Sequence, residues 1–146
     1  MTEFGQCQYT CDRAATAEAY RRAAAGGSRT CDCAGCRNFI AAGLQIFPAA
    51  FLEFLESLGI DPVKDGEVFH IARHSPGQHI YGGWYHFVGV LELSGDCAPV
   101  EFGEGFSCFL CRAGSPRLET LEGPTVVELK FSAERVPWVL AEDELD

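Results

Sequence analysis

The spacing of hydrophobic and polar positions predicts three helices in the first part of the chain. An alanine-rich run predicts a helix over Arg13–Ala24, which Gly26 and Gly27 end. Another helix is predicted over Pro48–Leu58, because its apolar residues recur at intervals of three and four. A short helix over Cys36–Ala42 is expected between these two. The apolar stripe of the Pro48–Leu58 helix consists of Phe51, Phe54, Leu55 and Leu58.

From residue 67 onward the pattern changes to short runs that are rich in β-branched and aromatic residues, which is typical of strands. In one run, Val127, Leu129 and Phe131 alternate with polar residues, as in a half-buried strand. The chain is therefore predicted to be an α+β protein, with N-terminal helices packed on one face of an antiparallel sheet of about four strands. The predicted strands are Glu67–Arg73, Trp84–Leu93, Phe106–Cys111 and Thr125–Phe131.

The length of 146 residues and a hydrophobic content of 47% predict a single domain over residues 1–146. Its parts are a helical, cysteine-rich cap at 1–59, a sheet portion at 67–140 and an acidic, frayed tail at 141–146. No apolar run approaches the roughly 20 residues that a membrane helix needs. The first residues also lack the pattern of a signal peptide. We therefore expect a cytoplasmic protein with reduced thiols and no membrane partner.

The net charge of −10 lies mainly in residues 74–146. Such a surface repels phosphate backbones, so nucleic acid is not expected as a partner. Several arginines, among them Arg29 and Arg37, lie near the cysteines of the first half. We expect them to balance the negative charge of thiolates.

Three of the eight cysteines lie within six residues of each other, as Cys31, Cys33 and Cys36. Zinc favours four tetrahedral ligands, and closely spaced thiolates allow one short loop to supply several of them. Gly35 provides a flexible backbone at the turn. A helix that starts near Cys36 would also favour thiolate over thiol through its free N–H groups. The spacing C-x-C-x2-C therefore predicts a zinc site.

A closed structural site needs a fourth ligand, and Cys11 is the favoured residue, with Cys7 as the nearest other thiol. Both precede the first helix, and they lie one helical turn apart if that helix starts early. A histidine, or another cysteine from the later part of the chain, is the alternative. His86 is the first choice, because it lies among aromatic residues on a predicted strand. The four histidines of the chain are His70, His74, His79 and His86. The predicted site is a structural zinc bound by Cys31, Cys33, Cys36 and Cys11, which pins the helical cap onto the sheet.

The aromatic stretch Tyr81–Phe87 contains paired glycines, and Trp84 and His86 follow them. It predicts either a pocket for a protein or a small ligand, or aromatic packing beside a loop, and packing is favoured. Cys108 and Cys111 point to opposite faces if they lie in a strand. Together with Cys97 they are interpreted as buried thiols. If the strand prediction is wrong, Cys108 and Cys111 form a second metal loop instead.

Three sequence blocks, CDCAGCRNF at Cys31–Phe39, YGGW at Tyr81–Trp84 and VPWVL at Val136–Leu140, resemble a family of small bacterial proteins without an assigned activity. The shared blocks would cover most of the chain from residue 31. The resemblance implies a bacterial source and supplies no mechanism. It also implies that the three later cysteines are less typical of the family than the first cluster.

The favoured functional hypothesis is a non-enzymatic binding module with a structural zinc, whose partner is a protein or a small ligand. The chain has no G-x-S-x-G, phosphate-loop or H-E-x-x-H motif. One alternative is a zinc-dependent hydrolase with an open coordination position. The other is a thiol redox sensor that works through Cys33 and Cys36. The oligomeric state stays open.

Overall fold

The strands of this protein join into one large antiparallel sheet. The computed structural model describes residues 1–92 and 97–146. The strands in these residues are β1 (Thr2–Phe4), β2 (Cys7–Cys11), β3 (Glu67–Ser75), β4 (Gln78–Glu92), β5 (Val100–Gly103), β6 (Phe106–Arg112) and β7 (Val126–Pro137). Their order is β1-β2-β4-β7-β6-β5, and β3 pairs with β4 beside β2. Each of these pairings is antiparallel.

The three predicted helices are present, which supports the α+β class. They are α1 (Arg13–Arg22), α2 (Ala34–Ala42) and α3 (Ala49–Leu58). Asp12 caps α1 by accepting a hydrogen bond from the Ala15 amide at 3.0 Å. Gly59 ends α3 in the left-handed conformation, with a φ of 84°. In the described part of the chain no helix has both the length and the apolar character needed to cross a bilayer.

The prediction of about four strands was too low, because β1, β2 and β5 were not predicted, and β4 is longer than expected. This strand begins at Gln78 rather than at Trp84, and its predicted end at Leu93 lies outside the described residues. The paired glycines lie inside this strand. These positions need glycine because aromatic rings occupy the space that a side chain would fill. A Cβ at Gly82 or Gly83 would lie 2.7 Å from a ring carbon of Phe69 or Phe131, respectively. The glycines thus allow aromatic packing along β4.

The first residues form a hairpin of β1 and β2, not the start of a helix. Cys7 and Tyr9 are buried, whereas Gln8 and Thr10 are exposed, which is the alternation of a strand with one face on the core. β2 pairs with the end of β4, next to the stretch that pairs with β3. The prediction that Cys7 and Cys11 lie one helical turn apart was therefore wrong.

A core of aromatic side chains joins the helices to the sheet. Phe51 of α3 is completely buried, and its ring lies 4.6 Å from that of Phe106 and 6.1 Å from that of Phe131, measured between centroids. Phe39 of α2 packs on the same Phe131 ring at 6.3 Å. Full burial of one such side chain contributes about 2 kcal/mol. Because α2 shares this core, its position relative to the sheet is fixed by packing.

The later cysteines follow the strand pattern with one exception. Cys108 lies in the core, and burial raises the pKa of its thiol to about 12, while Cys111 on the opposite face contacts Glu128. Cys97, however, is not a free thiol. It forms a disulfide with Cys7, and their Cα atoms lie 5.7 Å apart. The prediction of a buried, reduced Cys97 was wrong, since β2 and the segment before β5 bring two distant thiols together.

The acidic tail is folded against the helices and the sheet, so the prediction of a frayed tail was wrong. Trp138 donates its indole N–H to the Glu142 carbonyl at 2.9 Å. Glu142 in turn forms an ion pair with Arg37 of α2. Arg37 therefore pairs with a carboxylate of the tail. Further along, Glu144 accepts a hydrogen bond from the Gly77 amide at 3.0 Å, which attaches the tail to the β3–β4 turn.

Candidate metal centre

The sulfur atoms of Cys31, Cys33 and Cys36 converge at the start of α2. All three lie within 4.8 Å of one another, and the Sγ atoms of Cys31 and Cys33 are 3.2 Å apart. Sulfur ligands at 2.3 Å in a tetrahedron around zinc are about 3.8 Å from each other. The three thiols are therefore close enough together to hold a single metal ion.

Local backbone structure produces this convergence. Cys31 and Cys33 have extended backbones, with ψ angles of 133° and 156°, and Cys33 is the N-cap of α2. Its sulfur accepts a hydrogen bond from the Cys36 amide at 3.4 Å. One side of the first helical turn therefore holds the sulfurs of Cys33 and Cys36. The extended chain before the turn adds the sulfur of Cys31.

The pKa values of Cys33 and Cys36 are shifted in opposite directions. The hydrogen bond from the Cys36 amide, together with contacts to the neighbouring thiols, lowers the pKa of Cys33. Burial raises the pKa of Cys36, and its two neighbouring thiols raise it further. Cys33 thus becomes a thiolate more readily than Cys36. An ion bound here would displace the thiol protons of its ligands.

Hydrogen bonds from the sheet and from the end of β7 hold the cysteine loop. Tyr81 of β4 donates its hydroxyl to the Gly35 carbonyl at 2.7 Å. Asn38 of α2 donates to the Pro137 carbonyl at 3.1 Å and accepts from the Val139 amide at 2.7 Å. Burial raises the pKa of Tyr81 to about 12, so its hydroxyl stays protonated as a donor. These bonds attach α2 to the sheet without any help from a metal ion.

The three cysteines form part of the wall of a cavity of about 470 Å³. Strand β3, the tail and Gly27 contribute to the rest of the wall, so the cavity lies between the cysteine loop, the sheet and the C-terminal segment. Residues that line it beside the cysteines include Glu67, Val68, Phe69, His70 and Leu145. A molecule in this cavity has direct access to the sulfur atoms.

A line of hydrogen bonds leads from the cavity wall to the tail. His70 Nε2 lies 2.8 Å from His79 Nδ1, and His79 Nε2 lies 2.9 Å from a carboxylate oxygen of Glu144. His79 is fully buried, and its ring packs on that of Trp138 at a centroid distance of 5.0 Å. The orientation of His70 is therefore set by a buried neighbour.

The predicted fourth ligands are not at the cluster. Cys11 lies on β2, where its thiol donates to the Leu58 carbonyl at 3.4 Å. Cys7 is in the disulfide. Among residues 1–92 and 97–146, no fourth cysteine, histidine, aspartate or glutamate places a ligand atom within the same 4.8 Å spacing. The structure thus brings together Cys31, Cys33 and Cys36 and does not bring Cys11 to them, because the segment of Cys11 is a strand on another part of the sheet.

His86 is buried in a different polar cluster. Only 1% of His86 and 1% of Glu128 is exposed, and His86 Nε2 lies 2.9 Å from a Glu128 oxygen. Trp84 donates its indole N–H to the Pro116 carbonyl at 2.8 Å. The stretch around these residues is thus packed under a loop, which agrees with the favoured interpretation of aromatic packing.

The sequence did not predict which residues lie next to the three cysteines in space. From the sequence, His70 and His79 are candidate ligands ranked after His86, and Glu144 is not linked to the cysteine loop by any sequence pattern. The one available signal was the interval between His70 and His79, which a tight β-hairpin brings together. A comparison of the chain with protein-family models, curated proteins and solved structures gave no match. The resemblance of the three sequence blocks therefore stays a prediction.

Proposed function

We propose that this protein is a zinc-binding module whose fourth coordination position faces a cavity and binds a small ligand or a side chain of a partner protein. Cys31, Cys33 and Cys36 are its three zinc ligands. The observation that carries the proposal is the convergence of their sulfur atoms on a cavity wall. Soft thiolate ligands favour zinc over magnesium or calcium. A site with three protein ligands keeps one position for an exchangeable molecule.

The location of the donors argues against a purely structural ion. All three belong to one loop of six residues, so an ion bound by them closes only that loop. The attachment of α2 to the sheet comes from the hydrogen bonds of Tyr81 and Asn38. A zinc that pins the cap onto the sheet needs a donor from elsewhere in the chain. We therefore favour ligand binding over pinning as the role of the site.

Metal analysis of three purified proteins tests the proposal. The wild-type protein and a Cys11→Ser variant are expected to contain one zinc ion each, since the Cys11 thiol is bonded to the Leu58 carbonyl. A Cys31→Ser variant is expected to lose most of its zinc. Equal zinc content in wild type and Cys31→Ser would reject the assignment. Loss of zinc from the Cys11→Ser variant would instead support the predicted site with four cysteine ligands.

A zinc-dependent hydrolase is the second candidate, favoured by the position of His70 on the wall of the same cavity. Zinc with an open position lowers the pKa of bound water, and a nearby base assists proton transfer. The test is hydrolysis of activated esters by the zinc-loaded protein. Activity that disappears in both Cys31→Ser and His70→Ala supports this function. Equal rates in wild type and both variants exclude it for that substrate class.

A further inference from the structure

The carboxylate of Glu144 determines which atoms donate and which accept in the hydrogen bonds that join Glu144, His79 and His70. The Gly77 amide and the His79 ring lower the pKa of Glu144, which keeps its carboxyl ionised near neutral pH. A carboxylate only accepts hydrogen bonds, so His79 donates from Nε2. With a single ring proton, which lies on Nε2, His79 can only accept at Nδ1, and His70 donates to it from Nε2. This order leaves the Nδ1 atom of His70 without a proton.

His70, whose Nδ1 atom carries a free lone pair, lies beside the cysteine loop. A side-chain carbon built on Gly35 would lie 3.1 Å from His70 Cβ and 4.0 Å from Cys33 Sγ. His70 and Cys33 thus flank the same small space, and both line the cavity. In the part of the chain that the structure describes, the His70 ring makes only the hydrogen bond at Nε2. The hydrogen bonds of the described residues therefore leave the Nδ1 atom unused, on a side chain that lines the cavity.

The distance from the His70 nitrogens to the three sulfur atoms is too long for His70 to be a direct zinc ligand. Ligand atoms around one zinc ion lie about 3.6 Å apart. No His70 nitrogen lies within 4.8 Å of all three sulfurs in the described structure. The hydrogen bond to buried His79 also holds the ring in place. A molecule bound to zinc bridges such a gap, since its coordinating atom lies about 2 Å from the ion and a hydrogen bond adds about 2.8 Å.

We propose that His70 Nδ1 accepts a hydrogen bond from the molecule at the open zinc position, so that the site selects ligands with a proton on the coordinating atom. Water, alcohols and amines belong to this class, and azide does not. His70 is a positioning residue, and His79 with Glu144 fixes which of its ring nitrogens carries the proton. This inference rests on the proposed zinc site.

Two isosteric variants separate the two ring nitrogens of His70. In His70→Asn the amide oxygen takes the place of Nδ1, and the bond to His79 is lost. In His70→Gln the amide reaches the place of Nε2, so the bond to His79 is kept and the acceptor at Nδ1 is lost. A merely structural role predicts that His70→Gln behaves as the wild type. The proposed role predicts that His70→Asn is the less affected variant.

The experiment uses the full chain loaded with cobalt(II), whose absorption reports both the thiolates and the added ligand. Hydroxylamine keeps N–H groups on its coordinating atom, and azide is the matched ligand without a proton. The loss of one hydrogen bond is expected to weaken hydroxylamine binding about tenfold in His70→Gln. His70→Asn is expected to fall between this variant and the wild type. Azide binding is expected to change less than about twofold in either variant.

Equal weakening of both ligands in His70→Gln, or no weakening of hydroxylamine, overturns the role of His70. A cobalt spectrum that changes in His70→Gln before any ligand is added shows direct ligation by His70, and this also overturns the proposal. Wild-type protein without thiolate-to-cobalt absorption rejects the metal site itself. That result separates failure of the proposed function from failure of this inference.

Discussion

The buried carboxylate of Glu128 makes a specific prediction about stability in acid. Burial by itself would raise the pKa of this group. Hydrogen bonds from the Ser115 amide, the His86 ring, the Ser115 hydroxyl and the Gly114 amide outweigh that effect and lower the pKa to about 2. These donors tie β4 and the loop after β6 to one charge in β7. Protonation of Glu128 therefore weakens the attachment of both.

The magnitude follows from the difference between the folded and unfolded pKa values. The ordinary pKa of a glutamate is 4.5, and the folded value of Glu128 is about 2. This difference corresponds to about 3 kcal/mol of folding stability. Because the folded pKa is the lower one, the stabilisation is complete above about pH 5 and decreases as the pH falls toward 2. About 2 kcal/mol is lost by pH 3.

Chemical denaturation of wild type and Glu128→Gln between about pH 6 and pH 3 measures this contribution. The difference in unfolding free energy between the two proteins is expected to narrow by about 2 kcal/mol over that range. Glu101→Gln is the matched control, since Glu101 is exposed on β5, and its difference from wild type is expected to stay constant. A gap between wild type and Glu128→Gln that does not vary with pH would refute the reasoning.

Three further changes have expected outcomes in unfolding experiments. Gly89→Ala is expected to destabilise by about 3 kcal/mol or more, because its Cβ would lie 1.9 Å from a backbone oxygen of β2, whereas Gly123→Ala has open space and should change stability by less than about 0.5 kcal/mol. Tyr81→Phe is expected to cost about 1 to 3 kcal/mol, because it leaves a backbone carbonyl of the cysteine loop without its donor. Reduction of the Cys7–Cys97 disulfide, which spans 90 positions, is expected to cost about 4 kcal/mol, and a Cys7→Ser variant should then show no effect of reductant.

Segments with a strong local pattern were predicted well. The i, i+3, i+4, i+7 spacing in α3 and the alternation in β7 each depend on neighbours within one element, and both elements are present. β2 was missed because it is only five residues long and directly precedes α1, so its residues were interpreted as the start of that helix. The start of β4 was missed because Gly82 and Gly83 have the composition of a turn. Only the rings of Phe69 and Phe131, which come from other strands, explain them.

In the candidate site, too, the local feature was predicted and the features that depend on distant segments were not. The cluster of three cysteines lies in one loop, so its spacing alone predicts that the sulfurs meet, and they do. The fourth position depends on which distant segment passes the loop. Cys11 was favoured from its closeness in sequence, but the strand pairing of β2 with β4 carries it elsewhere. His70 borders the loop because β3 passes the start of α2, a contact that no local pattern contains.

X-ray absorption spectroscopy at the zinc edge tests the central claim most directly, because it counts the sulfur atoms bound to the ion. The zinc-loaded wild-type protein is expected to show three sulfur ligands at about 2.3 Å and one lighter ligand, oxygen or nitrogen, at about 2.0 Å. Cys11→Ser is expected to give the same spectrum. Four sulfur ligands in the wild type, or a protein that binds no zinc, would contradict a three-cysteine centre with an open position.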